Sequence, residues 1–258
     1  EKTVSCNLFI KIYEEEDEVI TIRGEEITIM PGSNNDLSWT VPDTEGNPIT
    51  QIGIEIQSSE TTAGSIYLDY LSINEAAKTS FVRPKHVDIL PKGKATKKQK
   101  KIESATMWRN SWVKALDQWG DRWPEAFRVS NNSGRGILIT GTNDWKDYTV
   151  SSKIRFELVK SGGLAARVQG LQRYYALEVS SGNKLRLIKM LDGLHILKEI
   201  DTEMVFQKDY DLSLKVDGSN LKGYLNDKLV LEFDDLNNTL TNGGIGFVVE
   251  SGTQSTNE

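Results

Sequence analysis

A chain of 258 residues, 38% hydrophobic and 26% charged, has room for one large or two modest globular domains. Its formal net charge of −6 argues against a nucleic-acid partner, which calls for a basic surface. One cysteine, Cys6, excludes an intrachain disulfide, and with only His86 and His195 beside it the usual zinc sites are not expected; an oxygen-ligated ion such as Ca²⁺ is left open. No apolar run approaches a membrane span, so no membrane partner is expected. No charged-then-apolar leader opens the chain, which begins directly in strand-like sequence at Leu8, Ile10 and Ile12. It therefore reads as a piece of a longer polypeptide, and its compartment is not legible.

In chain order, residues 8–13 and 19–30 alternate apolar with polar around an acidic turn at 14–18. Residues 49–56 place Ile52, Ile54 and Ile56 on one face, and residues 65–73 (Ser-Ile-Tyr-Leu-Asp-Tyr-Leu-Ser-Ile) predict a further strand. Pro31-Gly32, Pro42-Asp43 and Glu45-Gly46-Asn47-Pro48 are turns, and no amphipathic helix appears. Residues 1–90 thus predict a β-sandwich unit, short for a complete one. The Lys-rich run 91–103 holds almost nothing to bury. It reads as a solvated connector in preference to a basic patch for an anionic polymer.

Residues 104–258 predict a second sandwich. Ile154, Phe156 and Leu158 form one face of a strand; so do Leu164, Ala166 and Val168, then Tyr175, Leu177 and Val179, then Tyr210, Leu212, Leu214 and Val216, then Leu229, Leu231 and Phe233. Turns are expected at Ser161-Gly162-Gly163, Ser181-Gly182-Asn183, Asp192-Gly193, Asp217-Gly218 and Asn226-Asp227. Residues 242–249 form a late strand, followed by what reads as a polar tail, with no closing strand visible. The fold class is all-β, two antiparallel β-sandwich (jelly-roll) units.

Three stretches carry a resemblance. They are Trp39-Thr40-Val41-Pro42-Asp43 running on to Ile52–Ile56 and Tyr67–Leu71; Met107-Trp108-Arg109-Asn110-Ser111-Trp112-Val113; and Ala165-Ala166-Arg167-Val168-Gln169-Gly170-Leu171-Gln172-Arg173-Tyr174-Tyr175-Ala176-Leu177. Together they resemble the accessory β-sandwich region that follows the catalytic domain in some bacterial ADP-ribosylglycohydrolase-family proteins. The Lys-rich insert departs from it, and nothing here looks like that family's helical, Asp-rich di-metal site, so its activity is not carried over. The resemblance implies a catalytic domain in the same longer chain as a partner. Asp144-Trp145-Lys146-Asp147-Tyr148 and Gly243-Gly244-Ile245-Gly246-Phe247 are similar to concanavalin A/laminin G-type sandwiches, as found in carbohydrate-binding modules. The first unit looks like the latter half of a galactose-binding-type jelly roll. That likeness implies a structural Ca²⁺ at Asp69, in the final strand.

Arg167 and Gln169 are expected on one strand face, with Tyr174 and Glu178 beside them on the next strand if residues 170–173 form a hairpin. Arg donors, Gln amide, Glu acceptors and a Tyr ring are the mixture a sugar requires; an Arg–Glu pair on a solvated face is the plainer reading. Trp145 and Trp112 are candidates for stacking, with two of Trp108, Trp112, Trp119 and Trp123 expected in the core. Asp234 with Asp235, Asp121 with Glu125, and Asp144 with Asp147 are more simply turn or cap residues than a glycosidase pair. His195 has no nucleophile motif near it, and the glycine-rich stretches lack a phosphate-loop context. The expected function is non-catalytic recognition of an oligo- or polysaccharide. Its rivals are a structural accessory role without a ligand and a sugar-active hydrolase or lyase.

Overall fold

The computed structural model describes residues 4–14, 17–30, 32–61, 63–72, 79–83, 107–120 and 123–257. The Lys-rich run, His86 and Asp121 lie outside them. The chain divides into two compact units, the second beginning its described part at Arg109.

In the first unit β1 (Val4–Tyr13) pairs antiparallel with β4 (Ile49–Gln57) along one edge, and with β2 (Val19–Arg23) and β3 (Ile27–Ile29) along the other. Period-two alternation sends Cys6, Ile10 and Ile12 into the core. The run 19–30, expected as one strand, is broken at Gly24, where a Cβ would stand 2.9 Å from the Trp39 ring. The strand expected over 65–73 does not form in its described part. Residues 63–72 are irregular, with Tyr67, Leu68 and Tyr70 exposed. A strand needs a neighbouring edge to satisfy its backbone, and among the described residues none pairs with this segment.

The second unit is a sandwich in which three long strands, β7 (Phe127–Thr140), β8 (Tyr148–Gly170) and β15 (Gly244–Thr256), serve both sheets. A single helical turn, α1 (Met107–Asn110), carries the chain from the first unit into the second and precedes β5 (Val113–Ala115). The front sheet runs β11 (Leu194–Asp201), β10 (Lys184–Leu191), β9 (Arg173–Ser180), the later half of β8, the earlier half of β15, the later half of β7, then β5. The back sheet runs β14 (Lys228–Asp234), β13 (Asn220–Leu225), β12 (Asp209–Asp217), the earlier half of β8, the later half of β15, the earlier half of β7, then β6 (Gln118–Gly120).

Each shared strand turns from one sheet into the other at a bulge, where an extra residue bends the chain and shifts its alternation. In β15 the register slips between Glu250 and Gly252, with Ser251 at φ +45°. Opposite it, β7 takes up the extra length around Gly134, at φ +69°. In β8 the slip lies between Phe156 and Val159. Ile154 and Phe156 therefore face inward as expected, but Leu158 points out, 75% exposed, and Val159 takes its place in the core.

Two further expectations are corrected. Ser161-Gly162-Gly163 is not a turn but the middle of β8. A Cβ on Gly163 would stand 2.0 Å from the Leu177 carbonyl oxygen, so glycine is required there by a close approach of backbones. The polar tail after residue 249 is the later half of β15, buried at Gln254, Ser255 and Thr256. It is held by Ser152 Oγ to Thr256 Oγ1 at 2.9 Å and Gln254 Nε2 donating to Gly163 O at 3.2 Å.

Leu164, Leu177, Leu187, Leu212, Leu214 and Leu231 are all buried, with Leu177 packed on Gly223 of β13. The edge beside β5 and β6 holds an aromatic cluster in which Trp112 and Phe127 have ring centroids 4.9 Å apart and Trp119 stacks on Phe127 at 5.7 Å. Trp112, expected as a stacking surface for a ligand, is thus a core residue, as are Trp108 and Trp119; Trp123 is half-buried.

Candidate functional site

The outer face of the front sheet is built in rows by the strand register. One row runs Arg135, Glu250, Ser161, Ser180, Lys184. The next runs Ile137, Val248, Gly163, Glu178, Arg186, Glu199. Beyond it Ala165, Ala176 and Ile188 join with Tyr174 and Met190 to make an apolar cluster. A cavity of about 390 Å³ opens on this face. Its polar end is formed by Arg135, Lys160, Ser161, Glu178 and Glu250, and its apolar end by Ala115, Ile137, Leu171, Met190 and Leu194.

The polar end is a connected array. Arg135 Nη1 donates to Glu178 Oε2 at 2.6 Å and Nη2 to Glu178 Oε1 at 3.2 Å. Nη2 also reaches Glu250 Oε2 at 3.2 Å and Ser161 Oγ at 3.3 Å. Glu250 accepts further hydrogen bonds from Lys160 Nζ and from Ser161 Oγ, the latter at 3.2 Å. Burial alone would disfavour the Arg135 charge, but the two-point bond to Glu178 overrides it and raises its pKa. Burial pushes the Glu250 carboxyl up, yet Lys160 and Arg135 together hold it below the ordinary glutamate value. Tyr174 is fully buried and its hydroxyl makes no hydrogen bond of good geometry among the described residues. Burial raises its pKa, and the nearby Arg135 guanidinium opposes that rise.

The expected foursome is therefore split. Tyr174 and Glu178 stand on the cavity wall; Arg167 and Gln169 do not. Arg167 sits at a bulge with φ +49°, where the β8–β9 register shifts between Ala166 and Gly170. The bulge turns its side chain away and sends Val168 to the outer face instead. The Arg167 guanidinium is fully buried and bonds Lys146 O, Gly218 O, Leu240 O and Asp147 Oδ1 at 2.6–3.0 Å, clamping three loops. Gln169 donates to Asn242 O at 2.8 Å and accepts from Arg173 Nε at 3.0 Å. Trp145 is half-buried and edge-on to Tyr148, against the same loops and away from the cavity.

The residues that sequence reasoning missed are Arg135, Ser161, Lys160 and Glu250. The first lies in a stretch to which no element was assigned, Ser161 lies in the stretch taken for a turn with Lys160 just before it, and Glu250 stands at the border of what read as a tail. Of the carboxylates raised from sequence, Asp235 and Asp147 have structural roles. Asp235 is buried, accepting from Lys189 Nζ at 2.6 Å and from the Tyr175 hydroxyl at 2.5 Å. Asp147 accepts from Arg167 and from Gly218 N. Asp69 is exposed in the irregular segment, and among the described residues no group of three or more His, Cys, Asp or Glu side chains could hold a metal. A second hollow, about 190 Å³ on the back sheet, is lined by exposed ion pairs such as Arg155–Asp209 and has no apolar wall.

A two-sheet antiparallel sandwich with an amphipathic cavity on one outer face has the architecture of a lectin-type module. The sequence model of the galactocerebrosidase C-terminal lectin domain matches residues 122–255, more than half of the chain, and the chain belongs to that family. No curated protein matches it. Among solved structures, the carbohydrate-binding module CBM66 from Bacillus subtilis is similar at 22% identity and TM-score 0.51, over 56% of this chain and 91% of that one. A Bacillus subtilis protein described as having a galectin-like fold aligns at 14% identity and TM-score 0.46, over 59% of this chain and 88% of that one. Sheep galectin-11 aligns at 13% identity and TM-score 0.35, over 50% of this chain and 97% of that one. The first of these likenesses shows the fold alone.

Proposed function

We propose that the second unit is a non-catalytic carbohydrate-binding module whose ligand occupies the cavity on the front sheet. The observation that supports it is the meeting, in one cavity, of a buried hydrogen-bonding array with an apolar wall. Sugar hydroxyls both donate and accept, and Glu178, Glu250, Ser161 and Arg135 present both functions. The ring's C–H surface lies on the aliphatic end. Family membership and the name of the CBM66 module support the same reading. Glu250, held ionised by Lys160 and Arg135, is suited to accepting hydrogen bonds and not to protonating a leaving group. Affinity is modest, because a shallow face buries little area.

For the first unit we propose the accessory role without a ligand, within a longer polypeptide that includes a catalytic domain. Exposed Ile52, Ile56, Tyr67 and Tyr70 support it. One experiment addresses both units. The whole chain is screened on a glycan array as wild type and as Glu178→Gln, with folding checked by circular dichroism. Binding lost in the folded variant assigns the ligand to the front-sheet cavity and none to the first unit; binding retained removes the cavity from the reading.

A further inference from the structure

We propose that β4 is an interaction surface for a second copy of this chain, the two strands pairing antiparallel about Ile54 so that two four-stranded sheets become one. This goes beyond the accessory role proposed for the first unit, because it names the partner that meets the exposed isoleucines. The strand register is the first observation. Through β1, Cys6 lies opposite Ile27 and Ile56, Leu8 opposite Ile54, Ile10 opposite Ile22 and Ile52, and Ile12 opposite Ile20 and Ile49. Residues directly opposed share a face, so one face of the sheet is apolar from β2 and β3 across to β4. Cys6, Ile10 and Ile12 are buried, whereas Ile52 is 39% and Ile56 44% exposed. The face is covered along β1 and open along β4.

The edge itself is the second observation. The opposite edge of the sheet is divided between β2 and β3, five and three residues long. β4 has nine residues, and among the described residues its backbone pairs with β1 alone. Edge strands are ordinarily guarded by a lysine, a proline, a bulge or shortness. β4 holds no lysine and no proline, and its register irregularity lies before Gln51, leaving Gln51–Gln57 regular. Its single charge, Glu55, is taken up by Arg23 through hydrogen bonds of 2.6 and 3.1 Å.

Self-complementarity selects the occupant. Two copies of Gln51-Ile52-Gly53-Ile54-Glu55-Ile56-Gln57, run antiparallel about Ile54, set Ile54 against its own copy and Ile52 against Ile56 in both directions. Glu55 then meets Gly53 and Gln51 meets Gln57, so no like charges oppose and every isoleucine stays on the apolar side. Centring on Glu55 would oppose two carboxylates, and centring between residues would set isoleucines against polar positions. A twofold pair uses up this edge in both copies, so the assembly closes at two.

The test follows the intact chain by sedimentation equilibrium across a range of concentrations. Wild type is expected to rise from 28.9 kDa towards twice that mass. Amide hydrogen exchange within residues 51–57 should slow over the same range, a reading that needs no variant. Ile52→Lys with Ile56→Lys opposes lysines on both sides of the twofold and should weaken association about tenfold or more. Ile52→Glu with Ile56→Lys opposes unlike charges in this register and should associate again, less well as salt is added. Circular dichroism checks the folding of both double variants. A wild type that stays at 28.9 kDa, exchange in β4 that ignores concentration, or growth past two chains overturns the inference. So does a dimer indifferent to the paired lysines, or a folded Glu/Lys variant that associates no better than the Lys/Lys one. Each of these outcomes leaves the accessory and carbohydrate-binding readings standing.

Discussion

Arg135 on β7 and Glu178 on β9 are joined by two hydrogen bonds although β15 and β8 lie between their strands. Three strand spacings amount to about 14 Å between backbones, so both side chains lie extended across the sheet. Gly163, paired directly with Glu178, adds no side chain to that path. The pair is buried, with Glu178 1% and Arg135 14% exposed in their side chains. It is at once the floor of the cavity and a tie across the front sheet.

Removing one partner should expose the cost of the other. Arg135→Met is expected to destabilise the chain by about 3–5 kcal/mol, because the Glu178 carboxylate is left buried without its cation. The double variant Arg135→Met, Glu178→Met should regain most of that loss. Urea unfolding of wild type, Arg135→Met, Glu178→Met and the double variant closes the cycle; an additive double variant would show that the two residues act independently.

Glu250 sets an acid limit. Its folded-state pKa is lowered by Lys160 and Arg135 despite burial, so it contributes stability that is present above the unfolded value of about 4.3 and is lost as pH falls through the lower folded value. Melting temperature should therefore decline on acidification over that window, and Glu250→Gln should decline less steeply than wild type. Parallel curves for the two proteins would contradict the pairing.

Tyr148 sets an alkaline one. Burial raises its pKa to about 12 against the opposing influence of Arg167, whose backbone N–H donates to its oxygen. The neutral hydroxyl donates to Gly243 O and Gly244 O, each at 2.9 Å. Its stabilising share is fully present below the ordinary tyrosine value of about 10 and is lost as pH rises through about 12. Ultraviolet titration of phenolate should show a late-titrating group that disappears in Tyr148→Phe.

Gly163→Ala is expected to cost at least about 3 kcal/mol, at the upper end of overpacking penalties, since the added carbon would stand 2.0 Å from the Leu177 carbonyl oxygen. Gly182→Ala places its carbon in open space but at φ +94°, and should cost only the strain of that backbone. Thermal melts of the two variants distinguish crowding from conformation.

Alternation made much of the second unit legible. Ile154, Phe156, Leu177, Leu212 and Leu214 face inward as a period of two requires. Legibility ended at the bulges, because one inserted residue inverts every later assignment and carries no residue type of its own; Leu158, Val159 and Val168 are the cases. Glycine misled for a related reason. It permits a turn and it permits close strand packing, and Gly162-Gly163 serves the second purpose. At the site, Glu178 and Tyr174 were readable from their own strand, whereas Arg135 and Glu250 reach it from strands distant in sequence. Arg167 shows the converse. It has the chemistry of a ligand-binding group, but its donors are spent on Lys146, Gly218, Leu240 and Asp147, so Arg167→Ala would report on loop anchoring and not on recognition.

One strand in the interior of both sheets, β15, is also the last in chain order among the described residues. Its contacts close very long loops: the Ser130–Thr253 hydrogen bond spans 123 positions. Such contacts are slow to form, because the loop entropy must be lost before they are gained. On the ribosome, β7 and β8 emerge with the edge between them unfilled and wait there, aggregation-prone, until β15 has been synthesised. The sandwich thus closes at an interior strand, after the strands on either side of it have been made.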